Sequence, residues 1–223
     1  MAFNSNVIFK LLSKIKPDIL SKEYYLTDVV EIAAKDGLKI DLINIQEQEI
    51  LGINSKKDLA FAEKIIQNKL RNFFLNKGVT LIDPETNYFS YDTHIQKDVT
   101  IFPNVFISEK VKINSGTIIF PFCHLENCHI KKNVSIGPFA RIRGNTIINE
   151  NNKVGNFVEL KNVISGNKVK INHLSYIGDT SIGKSTNIGA GSITCNYDGF
   201  KKNRTSIGSN TFIGSNSTMI APL

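Results

Sequence analysis

Across 223 residues there is no tryptophan, aromatic residues make up only 9%, and 27 Lys and Arg outweigh 20 Asp and Glu to give a formal net charge of +7. The basic residues are scattered, with no run interleaved with aromatics, which argues against a nucleic-acid partner and for a solvated basic surface that gathers small anions. The cysteines Cys123, Cys128 and Cys195 are odd in number and lack metal-ligand spacing, so a reducing compartment is the economical reading.

At the N-terminus, Asn6, Lys10, Lys14, Lys16 and Asp18 interrupt the apolar residues. That mixture resembles neither a secretory leader nor a membrane span, and a cytoplasmic protein without membrane partners is expected. Residues 7–15 and 25–34 read as helices, the second with Asp28 and Glu31 outward. Residues 39–45 alternate as a strand with Ile40, Leu42 and Ile45 inward. A third helix starts at Ser55 as N-cap, with Asp58 completing a partial capping box. It carries Leu59, Ala62, Ile66, Lys69 or Leu70, and Phe73 or Phe74 along one side, and ends at Gly78. The domains expected are thus a small α/β segment at 1–54, a linker helix at 55–78 and a repeat domain at 79–223.

The repeat is the strongest signal in the chain. An aliphatic residue returns every sixth position at Ile95, Ile101, Ile107, Ile113, Ile119 and Leu125, and again at Ile130, Ile136, Ile142, Ile148, Val154 and Leu160. Four residues after most of these stands a small or β-branched residue, as at Ala140, Thr186, Thr211 and Ser217. This is the hexapeptide signature of a parallel β-helix, in which three hexapeptides of roughly 18 residues make one triangular coil. Residues 95–223 then hold about seven coils, stacked because no coil buries its apolar edge alone. The register is lost in one place, between Thr194 and Ser206, where a polar stretch must project as a loop.

Three outward positions suggest chemistry. His173 stands between the core positions Ile171 and Ile177, and its imidazole can take a proton from an amine. Arg143 and Lys161 are 18 residues apart, one coil, and should stack on one face, with His173 12 residues further on, roughly two prism sides. Two such cations without adjacent acids make a phosphate site. Acetyl transfer as envisaged requires one outer wall to line up the imidazole with both cations. His94, His124 and His129 have no comparable setting; His124 and His129 flank Cys128, but their spacing fits no common zinc site.

Four strings, at 136–143 (IGPFARIR), 154–161 (VGNFVELK), 173–179 (HLSYIGD) and 187–199 (NIGAGSITCNYDG), closely resemble the GlmU family. Residues 23–28, 51–54 and 78–84 match it as well, so the likeness covers nearly the whole chain. The resemblance implies a left-handed winding, against the usual crossover rule. It implies transfer of acetyl from acetyl-CoA to glucosamine 1-phosphate, in the route to UDP-N-acetylglucosamine for peptidoglycan and lipopolysaccharide. In that reaction His173 is the general base, Arg143 and Lys161 hold the sugar phosphate, and Tyr176 and Asn187 contact the sugar. Ala190, Asn196, Tyr197 and Ser215 match positions that contact acetyl-CoA, often across subunits, which makes a homotrimer the expected form. A backbone N–H near Ala190 is the oxyanion donor that the resemblance suggests.

Two departures qualify the likeness. The family's glycine-rich nucleotide loop has no counterpart here, so the 1–54 segment reads as a remnant of the nucleotidyltransferase domain and uridylyl transfer as lost. Asn54 matches a magnesium-ligand position whose partner aspartate belongs to the part not matched. The repeat also stops at 220–223, before coils that the family uses for the acetyl donor, which leaves that pocket incomplete. A non-catalytic remnant or split-gene half, serving as a trimerising β-helix scaffold, is the alternative; a hexapeptide acyltransferase for another acceptor is disfavoured by residues 187–199.

Overall fold

The computed structural model describes residues 1–223, the side chain of Glu47 excepted. It divides into two compact units, Met1–Gly52 and Ile53–Leu223. In the first unit, helix α1 (Ser5–Leu12) is capped by the Asn4 side chain, which accepts the Asn6 N–H, and helix α2 spans Asp28–Lys35. Leu11, Val29 and Ala33 make a small core between them. Residues 39–45 form no strand, contrary to their alternation, and Ile40, Leu42 and Ile45 are exposed. No neighbouring strand among the described residues of this unit receives their backbone groups, and an unpaired strand gains nothing from its pattern.

Helix α3 (Lys56–Asn76) opens the second unit. Ser55 Oγ accepts the Asp58 N–H at 3.1 Å while Asp58 Oδ2 accepts the Asn54 N–H at 3.2 Å, closing the cap from both sides. The helix ends as the chain turns through Gly78, whose φ of +83° suits a residue without a side chain. Its inward stripe is Gln67, Leu70, Arg71 and Phe74, so Leu70 and Phe74 are correctly placed, whereas Leu59, Ile66 and Phe73 face outward. Gln67 decides the rotation. Its amide donates to the Phe89 carbonyl at 2.8 Å and accepts the Phe89 N–H at 2.9 Å, standing in for a strand at the edge of the first coil. Phe74 packs against Phe89 with ring centroids 4.9 Å apart.

From Thr80 onward the chain is a left-handed parallel β-helix. The first sheet has eight strands, from Thr80–Leu81 to Phe212–Ile213; the second has eight, from Tyr88–Phe89 to Thr218–Ile220; the third has seven, from His94–Ile95 to Thr205–Ile207. Each strand pairs in parallel with the one a coil later, as Ile101 with Ile119 and Ile142 with Leu160. Every aliphatic position of the six-step ladder from Ile95 to Leu160 is buried, and Ala140 and Thr186 fill the small places beside it. Close stacking leaves no slack in such a core. Ile142→Ala should cost about 2–5 kcal/mol of unfolding free energy, measured by urea titration, because its neighbours in the coils above and below are held by ladder bonds and cannot collapse into the void.

The corners explain the shape of the surface. Two of them turn through residues that tolerate the left-handed conformation, such as Asn127, Asn145 and Asn162 between the second and third sheets, and Asn133 and Asn151 between the third and first. The corner between the first and second sheets is different. There Phe122, Phe139, Phe157 and Leu174 take φ values of 60°, 54°, 53° and 51° in successive coils. Such bulky residues in this region cost on the order of 1 kcal/mol each. Phe139 stacks on Phe122 and on Phe157 with centroids 4.9 and 5.1 Å apart, yet the column remains half-exposed.

Candidate active site

Arg143 and Lys161 are register partners that end their strands in the second sheet, as the one-coil spacing requires. The next rung of the column is Gly178, opposite Lys161. A Cβ there would stand 2.6 Å from the Tyr176 hydroxyl and 2.9 Å from Asn196 Nδ2, so the glycine makes room for both groups to lie over the strand. Arg143, Lys161, Tyr176 and Asn196 are thereby gathered at one edge of the second sheet. Asn196 is buried at the base of the 196–204 loop, and the exposed Tyr197 beside it donates its hydroxyl to the Gly199 carbonyl at 2.6 Å.

These cations do have acidic neighbours, contrary to the sequence expectation. Arg143 Nε lies 2.7 Å from Glu159 Oε1 and Lys161 Nζ 3.4 Å from Asp179 Oδ2. The Lys161 pKa is raised above its ordinary range, first by the neighbouring Lys202 amine and, against a burial cost, by Asp179. Lys202 is pushed down by Lys161. Burial works to raise the Asp179 pKa, but donors from Asn162, Asn196 and Lys161 outweigh it and hold the carboxyl below the usual range. The acids tie the basic side chains to the sheet edge by charge-assisted contacts.

His173 is elsewhere. It ends its strand in the first sheet, register-paired with Asn156, beside the aromatic corner. Its exposed Nδ1 lies 2.7 Å from Asn156 Oδ1; with the amide oxygen accepting Nδ1–H, the Nε2 lone pair is the one presented to solvent. Directly along this corner the Gly191 N–H donates to the His173 carbonyl at 3.3 Å, and the Asn216 N–H to the Ala190 carbonyl at 2.8 Å. Ala190 and Ser215 therefore continue the His173 column, and Asn187 starts the first-sheet strand paired with Lys170 and Phe212. The expectation that one wall carries imidazole and cations fails within a single protomer. His173 is two prism sides beyond Lys161, and two sides of a triangle lead to the neighbouring face.

The site residues thus fall into two groups. His173, Asn187, Ala190 and Ser215 belong to the first sheet and its far corner; Arg143, Lys161, Tyr176, Asn196 and Tyr197 belong to the second sheet and its far edge. Shallow clefts flank the aromatic corner on both sides, one reaching Asn156 and His173, the other Glu159 and Tyr176, and both touch Phe139 and Phe157. Asn156, Glu159, Asp179 and Lys202 were not singled out from sequence. A spacing of one coil from each candidate site residue finds the first three: Asn156 is 17 before His173, Glu159 is 16 after Arg143, and Asp179 is 18 after Lys161.

Burial pushes the Cys123 and Cys128 thiols up to about 11 and about 12, too high for a thiolate at neutral pH. Asn54 is exposed, and among the described residues no three His, Cys, Asp or Glu side chains are grouped to hold a metal ion. The magnesium position implied by the resemblance does not fit the residues around Asn54. No helix is long and apolar enough to cross a membrane.

Residues 127–162 match the family model described as bacterial transferase hexapeptide (six repeats). The bifunctional protein GlmU of Wolbachia pipientis wMel is 51% identical over 214 residues, which is 96% of this chain and 50% of that protein. Over nearly its whole length the chain is similar to GlmU. Bifunctional GlmU proteins of Bartonella bacilliformis and Gluconobacter oxydans are 48% identical over 223 residues and 52% identical over 212. The chain spans about half the length of these curated GlmU relatives, 50% and 48% in the last two cases. Within that span lie both the cation column and the His173 column, and the hexapeptide transferase match supports an acyltransferase.

Proposed function

We propose that this chain transfers the acetyl group of acetyl-CoA to the amine of glucosamine 1-phosphate, in a cytoplasmic route to UDP-N-acetylglucosamine, and that it works as a homotrimer. The observation that carries the reading is the pair of columns: a base with a fixed tautomer in one, and stacked Arg143 and Lys161 with Tyr176 over Gly178 in the other. The amine attacks the thioester carbonyl, Nε2 of His173 removes the amine proton, and the thiolate of CoA departs. Arg143 and Lys161 hold the phosphate by charge-assisted hydrogen bonds. Asn187 and Tyr176 hold the sugar, and Ala190, Asn196, Tyr197 and Ser215 the acetyl-CoA.

A trimer supplies what one protomer lacks. A small sugar phosphate cannot touch Asn187 at the start of the first sheet and Lys161 at the end of the second on the same prism. If the first sheet of one copy faces the second sheet of the next, the two columns meet across each interface, and the aromatic corners converge on the three-fold axis. That placement buries the Phe122, Phe139, Phe157 and Leu174 column and offsets the backbone strain at its corners. Phe157→Asp should shift the protein from trimer to monomer in sedimentation equilibrium while its far-ultraviolet spectrum stays that of a β-helix. A trimer that survives this change would remove the corner from the interface.

The activity is tested by thiol release from acetyl-CoA with glucosamine 1-phosphate as acceptor. Release that depends on the sugar phosphate supports the assignment. Release that is the same with and without it overturns the acceptor assignment, and none from a trimeric chain that binds both substrates leaves a scaffold and not an enzyme.

A further inference from the structure

Asp179 occupies a corner between the second and third sheets that in the three preceding coils is filled by Asn127, Asn145 and Asn162, and it is buried, 7% exposed, in the left-handed conformation with φ 50°. Its Oδ2 receives both Lys161 Nζ, at 3.4 Å, and the Nδ2 of Asn196; its Oδ1 receives Asn162 Nδ2 at 2.7 Å. The backbone ties are equally two-sided. The Asp179 N–H donates to the Lys161 carbonyl at 2.8 Å, and the Asp179 carbonyl accepts the Thr205 N–H at 3.2 Å, where the 196–204 loop rejoins the prism. A corner asparagine would turn the chain as well, so turning does not explain a buried carboxylate here.

We infer that Asp179 is a positioning residue that sets the acceptor's phosphate cation and the base of the donor-side loop through one shared carboxylate oxygen. The inference deepens the proposed function and rests on it for the identity of the phosphate ligand. An anion arriving beside Lys161 competes with Oδ2 for the ammonium. As Lys161 turns to the phosphate, Oδ2 is left to Asn196 alone, and that hydrogen bond to the loop strengthens. Occupancy of the acceptor site thus firms the loop that holds the donor, and by reciprocity the donor favours the acceptor. The charged and titratable groups facing Lys161 are Asp179, Lys202 and the Tyr176 phenol, with Arg143 and its partner Glu159 beside them.

Two readouts test this. The first needs no ligand: the Lys161 side-chain carbon resonance is titrated with pH in the intact chain, in Asp179→Asn and in Asn196→Ala. Lys161 should deprotonate at lower pH in Asp179→Asn, which removes the carboxylate, and at higher pH in Asn196→Ala, which leaves Oδ2 to Lys161. Unmoved titrations in both folded variants overturn the inference. The second readout is calorimetric binding of glucosamine 1-phosphate. A purely structural Asp179 predicts weaker binding in Asp179→Asn, as in Lys161→Ala. A competing Asp179 predicts binding tighter by about two- to fivefold, the worth of one weak ion pair such as this 3.4 Å contact, and independent of acetyl-CoA, unlike binding to the unaltered chain. Weakened binding in Asp179→Asn overturns the inference. If the unaltered chain binds no sugar phosphate while the Lys161 titrations move as expected, the hold of Asp179 on Lys161 stands and the substrate assignment falls.

Discussion

His173→Ala should lower the rate of acetyl transfer by about 100- to 10,000-fold, the usual contribution of a positioned general base. The measurement is glucosamine 1-phosphate-dependent thiol release from acetyl-CoA. The loss should fall on kcat, because the imidazole acts on a proton that moves as the new C–N bond forms, and it holds neither the sugar phosphate nor the CoA. The geometry makes the prediction specific. His173 is exposed and, among the described residues, its one side-chain hydrogen-bond partner is Asn156, at 2.7 Å. Its removal empties no core and breaks no ion pair, so the variant should keep the trimer and the unfolding midpoint of the unaltered chain. A variant that is trimeric, equally stable and equally fast would take His173 out of the mechanism.

Asn156 is the neighbour that sequence reading passed over, and the reason is instructive. In a β-helix the residues that touch side by side are about one coil apart, 17 positions here, so nothing local marks them. The same holds for Glu159 beneath Arg143 and Asp179 beneath Lys161. What was legible was whatever repeats. The six-step aliphatic ladder from Ile95 to Leu160 located the core residue by residue, because one periodicity governs both sequence and burial in this fold. The α3 helix lacks that advantage. Its hydropathy put Leu59, Ile66 and either Phe73 or Phe74 on the inner side, but the helix turns to bury Gln67 with Phe74, and the Gln67 amide completes the exposed edge of the first coil at Phe89. A buried hydrogen bond to a free strand edge outweighs a modest apolar stripe. The strand expected at residues 39–45 failed for a related reason: alternation describes a face, and a strand also needs a partner.

The grouping of the site was the least legible of all. Quoted strings located His173, Arg143, Lys161 and the donor-side positions, but strings do not tell which prism face each residue leaves from. The faces follow from counting coils, and the count separates His173 from Lys161 by two sides. Acetyl transfer survives this separation only as a property of the assembled trimer.

Mixed trimers give the decisive result. His173→Ala chains have an intact cation column, and Lys161→Ala chains an intact base; each trimer alone should be nearly inactive, the second because losing a charged phosphate donor weakens acceptor binding roughly ten- to hundredfold. If each working site takes its base from one copy and its cations from the next, unfolding and refolding the two variants together at equal ratio re-creates complete sites. A site is complete where a Lys161→Ala copy presents its histidine to a His173→Ala copy, which random assembly provides at about one interface in four. Recovery to about a quarter of the unaltered activity, from two inactive parents, is therefore expected. If base and cations served the same site from one protomer, no mixture of these chains could contain a complete site, and the refolded sample would remain as inactive as its parents. Phe157→Asp supplies the internal control. Introduced into both variants it removes the interface while leaving every residue of the two columns in place, so the recovered activity should vanish along with the trimer, and activity that persisted in the monomer would show that the columns act without a neighbour.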